Sequence, residues 1–282
     1  MFYTSRYYIG ARLRIVINMT KEPLSTNKDM NDKADGIPYI SLLGVRVHRV
    51  DMDETLNIIR GFISSGNPHI IVTSDASAIV IAQSDEDFRG IINNADLVTP
   101  DGAGLLKAAK LFGTPLIDRV SGVDIANNVC RMGAEDGFSI FLLGAKPGIA
   151  EMAGERLKQQ YPGLRIAGTH HGYFTEAENA AIAAKVRDSG AKVLLVGLGI
   201  PRQEKWIRDH KSELGVCMAM GVGGSFDVLS GQIKRAPIWM QRHGLEWVYR
   251  LAKDPKKITK VATLPKFVIL VLAERILGGR KG

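Results

Sequence analysis

Five short segments of this 282-residue sequence combine polar side chains or glycines in a way that suits a phosphate-containing ligand. Glycine lets backbone amides approach a ligand closely, and the N-terminus of a following helix attracts anions. Glycine-rich turns also serve simple chain reversal, so each segment alone is weak support for a binding site. The segments span residues 73–75, 99–104, 144–148, 197–204 and 221–227.

The elements that must position these segments alternate between apolar runs and amphipathic stretches. Nearly all-apolar runs predict buried strands at 69–73, 96–99, 138–143, 164–168, 193–197 and 216–221, with helices between them. This alternation predicts an α/β fold, Rossmann-like, with a mostly parallel sheet covered by helices on both faces. Ligands bind such sheets at the carboxyl ends of the strands, so all five segments are expected at one edge.

By composition the chain divides into three parts. Residues 1–38 are polar over much of their length and lack a useful apolar run, so they predict a disordered segment without a signal peptide or membrane span. Residues 39–231 predict the Rossmann-like domain, which begins with an apolar, β-branched segment at 42–50. Residues 232–282 predict a basic, amphipathic helical appendage.

The positive charge of the chain is concentrated in that appendage. From Gln232 onward twelve basic residues face three acidic ones, a net charge of +9, while the whole chain carries +8. A basic end on a neutral body indicates an anionic surface, either lipid head groups or nucleic acid. Apolar residues at helical spacing favour an interfacial helix on a membrane, and nucleic acid is not expected as a partner. The apolar run at 267–273 is shorter than the ~20 residues that a span requires, and Pro265 is expected to divide the segment into two helices.

Several residues that resemble functional motifs have simpler explanations. Asp51 and Asp53 form a D-x-D pattern, but Glu54 follows at capping-box spacing, which predicts a helix start. Asp85 has the same capping interpretation. Cys130 and Cys217 each stand in an apolar run without metal-ligand spacing, which predicts buried thiols in a reducing cytoplasm.

The segment at 197–204 also suggests a dinucleotide-binding motif. Arg202 stands where G-x-G-x-x-G needs its third glycine, and no acidic residue follows the next strand at the required distance of roughly 20 residues. A nicotinamide-dependent oxidoreductase therefore remains only as the alternative class.

Seven motifs, in this order, resemble the WecG/TagA/CpsF family of glycosyltransferases. They are PDGAG at 100–104, RVSGVD at 119–124, LLGAKPG at 142–148, HGYF at 171–174, GLGIPRQEKW at 197–206, MGVGGSFDVLSGQIKRAP at 220–237 and GLEWVYRL at 244–251. The resemblance extends from about residue 44 to the C-terminus.

This resemblance implies an inverting transfer of a sugar from a UDP-sugar to a saccharide on a polyprenyl diphosphate, in bacterial surface polysaccharide synthesis. The products of the family are exopolysaccharide, teichoic acid linkage units or common antigen. The resemblance further implies a cytoplasmic enzyme attached peripherally to the inner face of the cytoplasmic membrane, where the appendage engages an anionic surface. No metal or other cofactor is expected beyond the nucleotide-sugar substrate.

The resemblance also assigns roles to particular residues. Asp101 matches the candidate general base that takes the proton of the acceptor hydroxyl, and Thr73 matches a polar residue facing the donor sugar. The departing diphosphate needs positive charge and amide donors, which suits Arg119 and the backbone at 197–203. Simpler roles stay open, because Asp101 is also placed to cap the next helix and Arg119 to form a surface ion pair.

Further candidates surround these residues in the implied site. Besides Asp101, Thr73 and Arg119, the candidate substrate-binding residues are Asp75, Tyr173, Gly197, Gly199, Gln203, Gly223, Asp227 and Arg250. Gln203 matches a family pocket residue, and Asp227 matches a position at the nucleotide end. Tyr173 is placed to line the acceptor groove, with a core aromatic as the alternative.

Asp75 departs from the family pattern. Many members carry an amide close to this position, whereas this chain has Thr73-Ser74-Asp75. A carboxylate near the expected donor sugar leaves both N-acetylmannosamine and a hexose open as the transferred group.

Overall fold

A computed structural model of the chain describes residues 36–242, 245–253 and 263–278. The strands are β1 (Tyr39–Leu42), β2 (Val45–His48), β3 (His69–Ser74), β4 (Leu97–Pro100), β5 (Ser139–Gly144), β6 (Arg165–His170), β7 (Val193–Gly197) and β8 (Met218–Gly221). The helices are α1 (Met52–Ser65), α2 (Ala76–Ala82), α3 (Glu86–Asn93), α4 (Ala103–Leu111), α5 (Gly122–Asp136), α6 (Ile149–Gln160), α7 (Asn179–Asp188), α8 (Arg202–His210), α9 (Ser225–Leu229), α10 (Ile238–Arg242), α11 (Glu246–Lys253) and α12 (Thr263–Gly278). The disorder predicted for the N-terminal segment falls almost wholly outside the described residues.

Within these residues six strands form one parallel sheet, in the order β4-β3-β8-β7-β5-β6. Successive side chains of a strand point to opposite faces, so Ile70 joins one apolar cluster and Ile71 the other. Helices α2, α7 and α8 cover the first face, and α1, α5, α6 and α9 cover the second. The predicted α/β fold with a parallel sheet covered on both faces is confirmed.

The topology creates a crevice in the middle of the carboxyl edge. The chain leaves β5 toward β6 at one side of the sheet and leaves β7 toward β8 at the other side. Adjacent strands whose connections diverge in this way open a ligand crevice at their carboxyl ends. Gly144 and Gly197, which end β5 and β7, are paired in register at that point.

The segment at 42–50, predicted as one apolar run, is instead part of an antiparallel hairpin. Tyr39–Leu42 and Val45–His48 pair as β1 and β2 in a separate two-stranded sheet. Leu43 and Gly44 form the turn, with φ angles of 54° and 75°. Two consecutive positive φ values match the twist of a two-residue hairpin turn, and the leucine hid this signal in the sequence.

The two aspartate-rich helix starts are caps, as predicted. Glu54 N donates to Asp51 Oδ1 at 2.9 Å, and Asp51 N donates to Glu54 Oε2 at 3.1 Å, which completes a capping box on α1. Phe88 N donates to Asp85 Oδ1 at 2.9 Å at the start of α3. These carboxylates satisfy helix amides, which is the capping role that the sequence predicted.

The C-terminal helix α12 packs on the domain. Phe267 and Val271 are buried in the first apolar cluster, and Ser77 Oγ of α2 lies 2.8 Å from Thr263 Oγ1. Pro265 lies in the first turn of α12, where proline is tolerated. The predicted division into two helices stays a prediction, because residues 254–262 lie outside the described residues. None of the helices in the described residues combines the length and apolar character needed to cross a membrane.

Candidate active site

Asp101 and Thr73 meet at the carboxyl ends of two neighbouring strands. Thr73 of β3 is paired with Thr99 of β4, and Asp101 N donates to Ser74 O at 2.8 Å, which extends that ladder by one bond. Asp101 Oδ2 accepts a hydrogen bond from Gly122 N, the first residue of α5, at 3.1 Å. A Cβ placed on Gly122 would lie 3.2 Å from Thr73 Oγ1, so these three residues surround one small region.

The alternative role of Asp101 as the cap of α4 does not match the geometry. Gly102 is the N-cap residue of that helix and no side chain caps it. The carboxylate of Asp101 instead receives the N-terminal amide of α5 from across the site. This bond orients the carboxylate while Asp101 remains only half-buried at the strand end.

Arg119 joins the site to the C-terminal part of the chain. Its Nη1 lies 3.3 Å from Glu246 Oε2 of α11, and the two side chains are 17% and 15% exposed. This ion pair is largely shielded, so Arg119 is not the exposed surface pair considered from the sequence. It also places α11 over the loop that precedes α5.

A second ion pair lies next to Gly122. Arg235 contacts both carboxylate oxygens of Asp124, with 2.8 Å between Nη2 and Oδ2, and Ser121 Oγ donates to Asp124 Oδ2 at 2.9 Å. Burial alone would raise the pKa of Asp124, but hydrogen bonds from Arg235 and Ser121 and the nearby arginine charges lower it overall. The hydrogen bond with Asp124 raises the pKa of Arg235 against the opposing effect of burial. Both groups are therefore charged at neutral pH.

Sequence reasoning did not single out Asp124, Arg235 or Glu246 as site residues. All three lie inside motifs that were recognised, RVSGVD, the segment ending in KRAP and GLEWVYRL. The sequence did contain one signal for these residues. Acidic residues are few in the basic appendage, so each one is a candidate partner for a basic residue in another motif.

The glycines at the crevice mainly allow loops to pack on one another. Gly144 has a φ of 139°, and a Cβ there would lie 2.5 Å from the carbonyl group of Gly197. A Cβ on Gly197 would lie 2.8 Å from Gly223 O. Gly199 and Gly223 differ, because apart from their chain neighbours no atom of the described residues lies within 4 Å of a Cβ placed on either. Gly199 and Gly223 therefore leave open space beside the loops, as Gly102 and Gly148 do at their own strand ends.

Gln203 connects the two glycine-rich loops that contain Gly199 and Gly223, from the interior of the domain. Its side chain is buried, with only 2% of the residue exposed. Oε1 accepts hydrogen bonds from Gly199 N at 3.1 Å and Gly223 N at 3.0 Å, and Nε2 donates to Glu204 Oε1 at 2.7 Å. A direct contact of Gln203 with substrate stays a prediction, while the structure shows that its amide holds both loops in place.

The remaining candidates lie at different distances from Asp101. Asp227 is in the first turn of α9, directly after the loop that contains Gly223. Tyr173 is 65% exposed, so it is not a core aromatic, and Gly172 N donates to Ala145 O at 2.8 Å beside β5. Four strand spacings separate β4 from β5. The carboxyl ends of these two strands, near Asp101 and near Tyr173, are therefore about 19 Å apart. Such an edge suits an elongated ligand.

Asp75 caps α2, because its Oδ1 accepts a hydrogen bond from Ala78 N at 2.8 Å. Arg250 belongs to α11, but its side chain lies outside the described part of the structure.

Fold and site together indicate an α/β enzyme with a carboxylate at one end of an open, glycine-rich sheet edge. Comparison with known proteins agrees with this class. The family described as "Glycosyl transferase WecG/TagA/CpsF family" matches residues 40–281. The chain therefore belongs to the WecG/TagA/CpsF family and is a glycosyltransferase, which sets aside the oxidoreductase alternative.

Individual relatives point the same way. The chain is 31% identical over 231 residues to an N-acetylglucosaminyldiphosphoundecaprenol N-acetyl-beta-D-mannosaminyltransferase of Staphylococcus aureus (strain MW2), covering 81% of this chain and 90% of the relative. It is 34% identical over 202 residues to a protein of the same name from Bacillus spizizenii (strain ATCC 23059 / NRRL B-14472 / W23), covering 72% of this chain and 78% of that relative.

Proposed function

We propose that this enzyme transfers N-acetylmannosamine from UDP-N-acetylmannosamine to N-acetylglucosamine carried on a polyprenyl diphosphate, with inversion at the anomeric carbon. The acceptor and the transferred sugar are those in the names of its relatives. The observation that carries the proposal is the grouping of Asp101, Thr73 and Gly122 at one end of the glycine-rich sheet edge. The product would enter the synthesis of a bacterial surface polysaccharide, such as a teichoic acid linkage unit.

The proposed reaction needs one base and one anion-stabilising region. The acceptor hydroxyl oxygen attacks the anomeric carbon, and Asp101 takes the proton of that hydroxyl. The bond between the anomeric carbon and the diphosphate oxygen breaks, and its electron pair leaves with UDP. Arg119 and other backbone amides of the loops at 197–203 and 221–227 stabilise the charge on that leaving group, while the amides of Gly199 and Gly223 stay bonded to Gln203. Attack from the face opposite to UDP inverts the anomeric centre.

The capping role of Asp75 removes the objection that its charge raised against N-acetylmannosamine as the donor sugar. Asparagine and aspartate are comparably good N-caps, so an exchange between them preserves the start of α2. The charge of Asp75 is thus explained by helix capping. A panel of UDP-sugars tests the choice, with UDP-N-acetylmannosamine expected to support faster transfer than UDP-N-acetylglucosamine or UDP-glucose.

The base is tested by Asp101→Asn, which keeps the shape and the acceptor atom for Gly122 N. General base catalysis contributes roughly 10²–10⁴-fold, so turnover should fall by about that factor while UDP still raises the melting temperature. Asp53→Asn, on the exposed side of α1, is the matched control and should behave as the wild type. Turnover of Asp101→Asn within a few-fold of the wild type would exclude Asp101 as the base.

The proposed function also includes docking on the anionic inner face of the cytoplasmic membrane, where the lipid-linked acceptor resides. Helix α12 buries Phe267 and Val271 but exposes apolar side chains on its other side. Those exposed side chains are Val268, Ile269, Leu272 and Ile276. Trp239 and Trp247 are also exposed, and tryptophan favours the interface between lipid and water. Together with the basic appendage they suit an interfacial contact.

Charged substitutions on α12 test this docking better than deletion, because deletion would also remove the buried Phe267 and Val271. The double variant Ile269→Asp and Ile276→Asp should lose most of its co-sedimentation with anionic liposomes at matched salt. Met152→Asp, at a 44% exposed apolar residue of α6, is the control and should sediment like the wild type. Unchanged liposome binding of the double variant would contradict the docking role of α12.

A further inference from the structure

Arg235 is held in one orientation by two neighbours from a distant part of the chain. Its two terminal nitrogens contact both oxygens of Asp124, and Nη2 also lies 3.4 Å from Ser121 Oγ. The side chain is only 24% exposed. A two-pronged contact between guanidinium and carboxylate fixes the plane of both groups, which a single contact would not do.

The two partners of Arg235 flank the residue that holds the candidate base. Ser121 precedes Gly122 and Asp124 follows two positions later, while Gly122 N donates to Asp101 Oδ2 at 3.1 Å. The position of that amide depends on the conformation of residues 121–124. Arg235 therefore contacts the same helix start, the N-cap and first turn of α5, whose first amide bonds Asp101.

Arg235 also acts on Asp101 through charge. After the dominant hydrogen bond with Asp124, the charges of Glu246 and Asp101 contribute to the raised pKa of Arg235. The attraction is mutual, so the guanidinium favours the ionised carboxylate of Asp101. In addition, Arg235 Nε is buried and finds no hydrogen-bond acceptor among the described residues. Leaving such a donor unpaired costs stability, which argues against a purely structural purpose for this arginine.

We propose that Arg235 is a positioning residue for the transfer reaction. It holds residues 121–124 in place, so that the Gly122 amide keeps Asp101 directed toward the acceptor hydroxyl. The positive charge of Arg235 contributes to the same effect. The proposal rests on the proposed function, in which Asp101 is the base. Lysine would supply the charge without the planar, two-pronged contact, so the two contributions can be separated.

Two substitutions of Arg235 separate geometry from charge. Arg235→Met should lower kcat by about 10²-fold, because small displacements of reacting groups have effects of that size. It should also move the acidic limb of the pH–rate profile to higher pH, since Asp101 loses a stabilising positive charge. Arg235→Lys should lower kcat but move that limb less. Asp124→Asn, which keeps the packing, should lower kcat in the same direction.

The control is Arg131→Met, which removes an ion pair with Glu135 on the same helix, α5. It should leave kcat and the pH profile unchanged. If the Arg235 and Asp124 variants lose activity only in proportion to melting temperature, with an unshifted pH profile, Arg235 is structural and the proposal fails.

A double-mutant cycle distinguishes this failure from failure of the proposed function. If Arg235 acts through Asp101, then adding Arg235→Met to Asp101→Asn should cause much less loss of kcat than it does in the wild type. Full additivity of the two effects would overturn the positioning role and leave Asp101 as the base. A wild-type rate for Asp101→Asn would instead remove the base assignment from the proposed function.

Discussion

The part of the sheet edge formed by β5, β7 and β8 presents mainly backbone, whereas the part formed by β3, β4 and the start of α5 presents charged side chains. In the first part Gly144, Gly197 and Gly223 let three loops pack together. In the second part Asp101, Asp124 and the arginines form a network of ion pairs and hydrogen bonds. In the proposed reaction the two parts have different tasks.

Recognition of a diphosphate needs amide donors held rigidly in the right directions, and close packing of backbone provides that. Removal of a proton needs a group whose ionisation depends on its surroundings, and only a side chain provides that. We therefore expect the free energy of unfolding and the rate of catalysis to respond differently to substitutions in the two parts.

The largest expected loss of stability lies in the backbone part. Gly144→Ala places a Cβ 2.5 Å from the Gly197 carbonyl group at a φ of 139°. Backbone strain and overpacking each cost about 1–3 kcal/mol, so the unfolding free energy should fall by about 2–6 kcal/mol in denaturant titrations. Gly190→Ala, at a φ of 66° with no described non-neighbouring atom within 4 Å, is the control. It should cost only about 1–2 kcal/mol, and equal losses would contradict the packing explanation.

A smaller loss of stability is expected when the side chain of Gln203, which connects the two glycine-rich loops, is removed. Gln203→Ala leaves the amides of Gly199 and Gly223 without their shared acceptor, and an unsatisfied buried group costs about 1–3 kcal/mol. The affinity for UDP, measured by calorimetry, should fall as the loops lose their relative position. Gln160→Ala, on the exposed end of α6, should change neither quantity. Weakened UDP binding without any loss of stability would favour direct contact of Gln203 with the ligand.

The smallest expected effect concerns the charged part and depends on pH. Folding lowers the pKa of Asp124, so its contribution to stability is full above the unfolded pKa near 3.8 and is lost as the pH falls through the lower folded value. Because the side chain is 37% exposed, solvent screening limits this contribution to up to about 1 kcal/mol. The difference in unfolding free energy between the wild type and Asp124→Asn should therefore shrink below about pH 4. A difference that stays constant from pH 6 to about pH 3 would show that ionisation of Asp124 does not matter.

The periodicity of the sequence was sufficient to predict the parallel sheet, the capping role of Asp51 and the common edge of the five segments. The strands and the helix cap depend on neighbours within one element, so local patterns record them. The common edge follows because parallel strands end on the same side of a sheet. The hairpin turn at Leu43 was missed because leucine rarely adopts a positive φ.

The sequence by itself determined the fold class, the family and the motifs from which a site must be built. Only the tertiary structure decided which of those motifs touch, because ion pairs such as Arg119 with Glu246 and Arg235 with Asp124 join residues more than a hundred positions apart. It also decided that Gln203 faces the interior and Tyr173 faces the solvent. Burial and charge pairing depend on which elements pack together, and the spacing of residues along one chain does not contain that information.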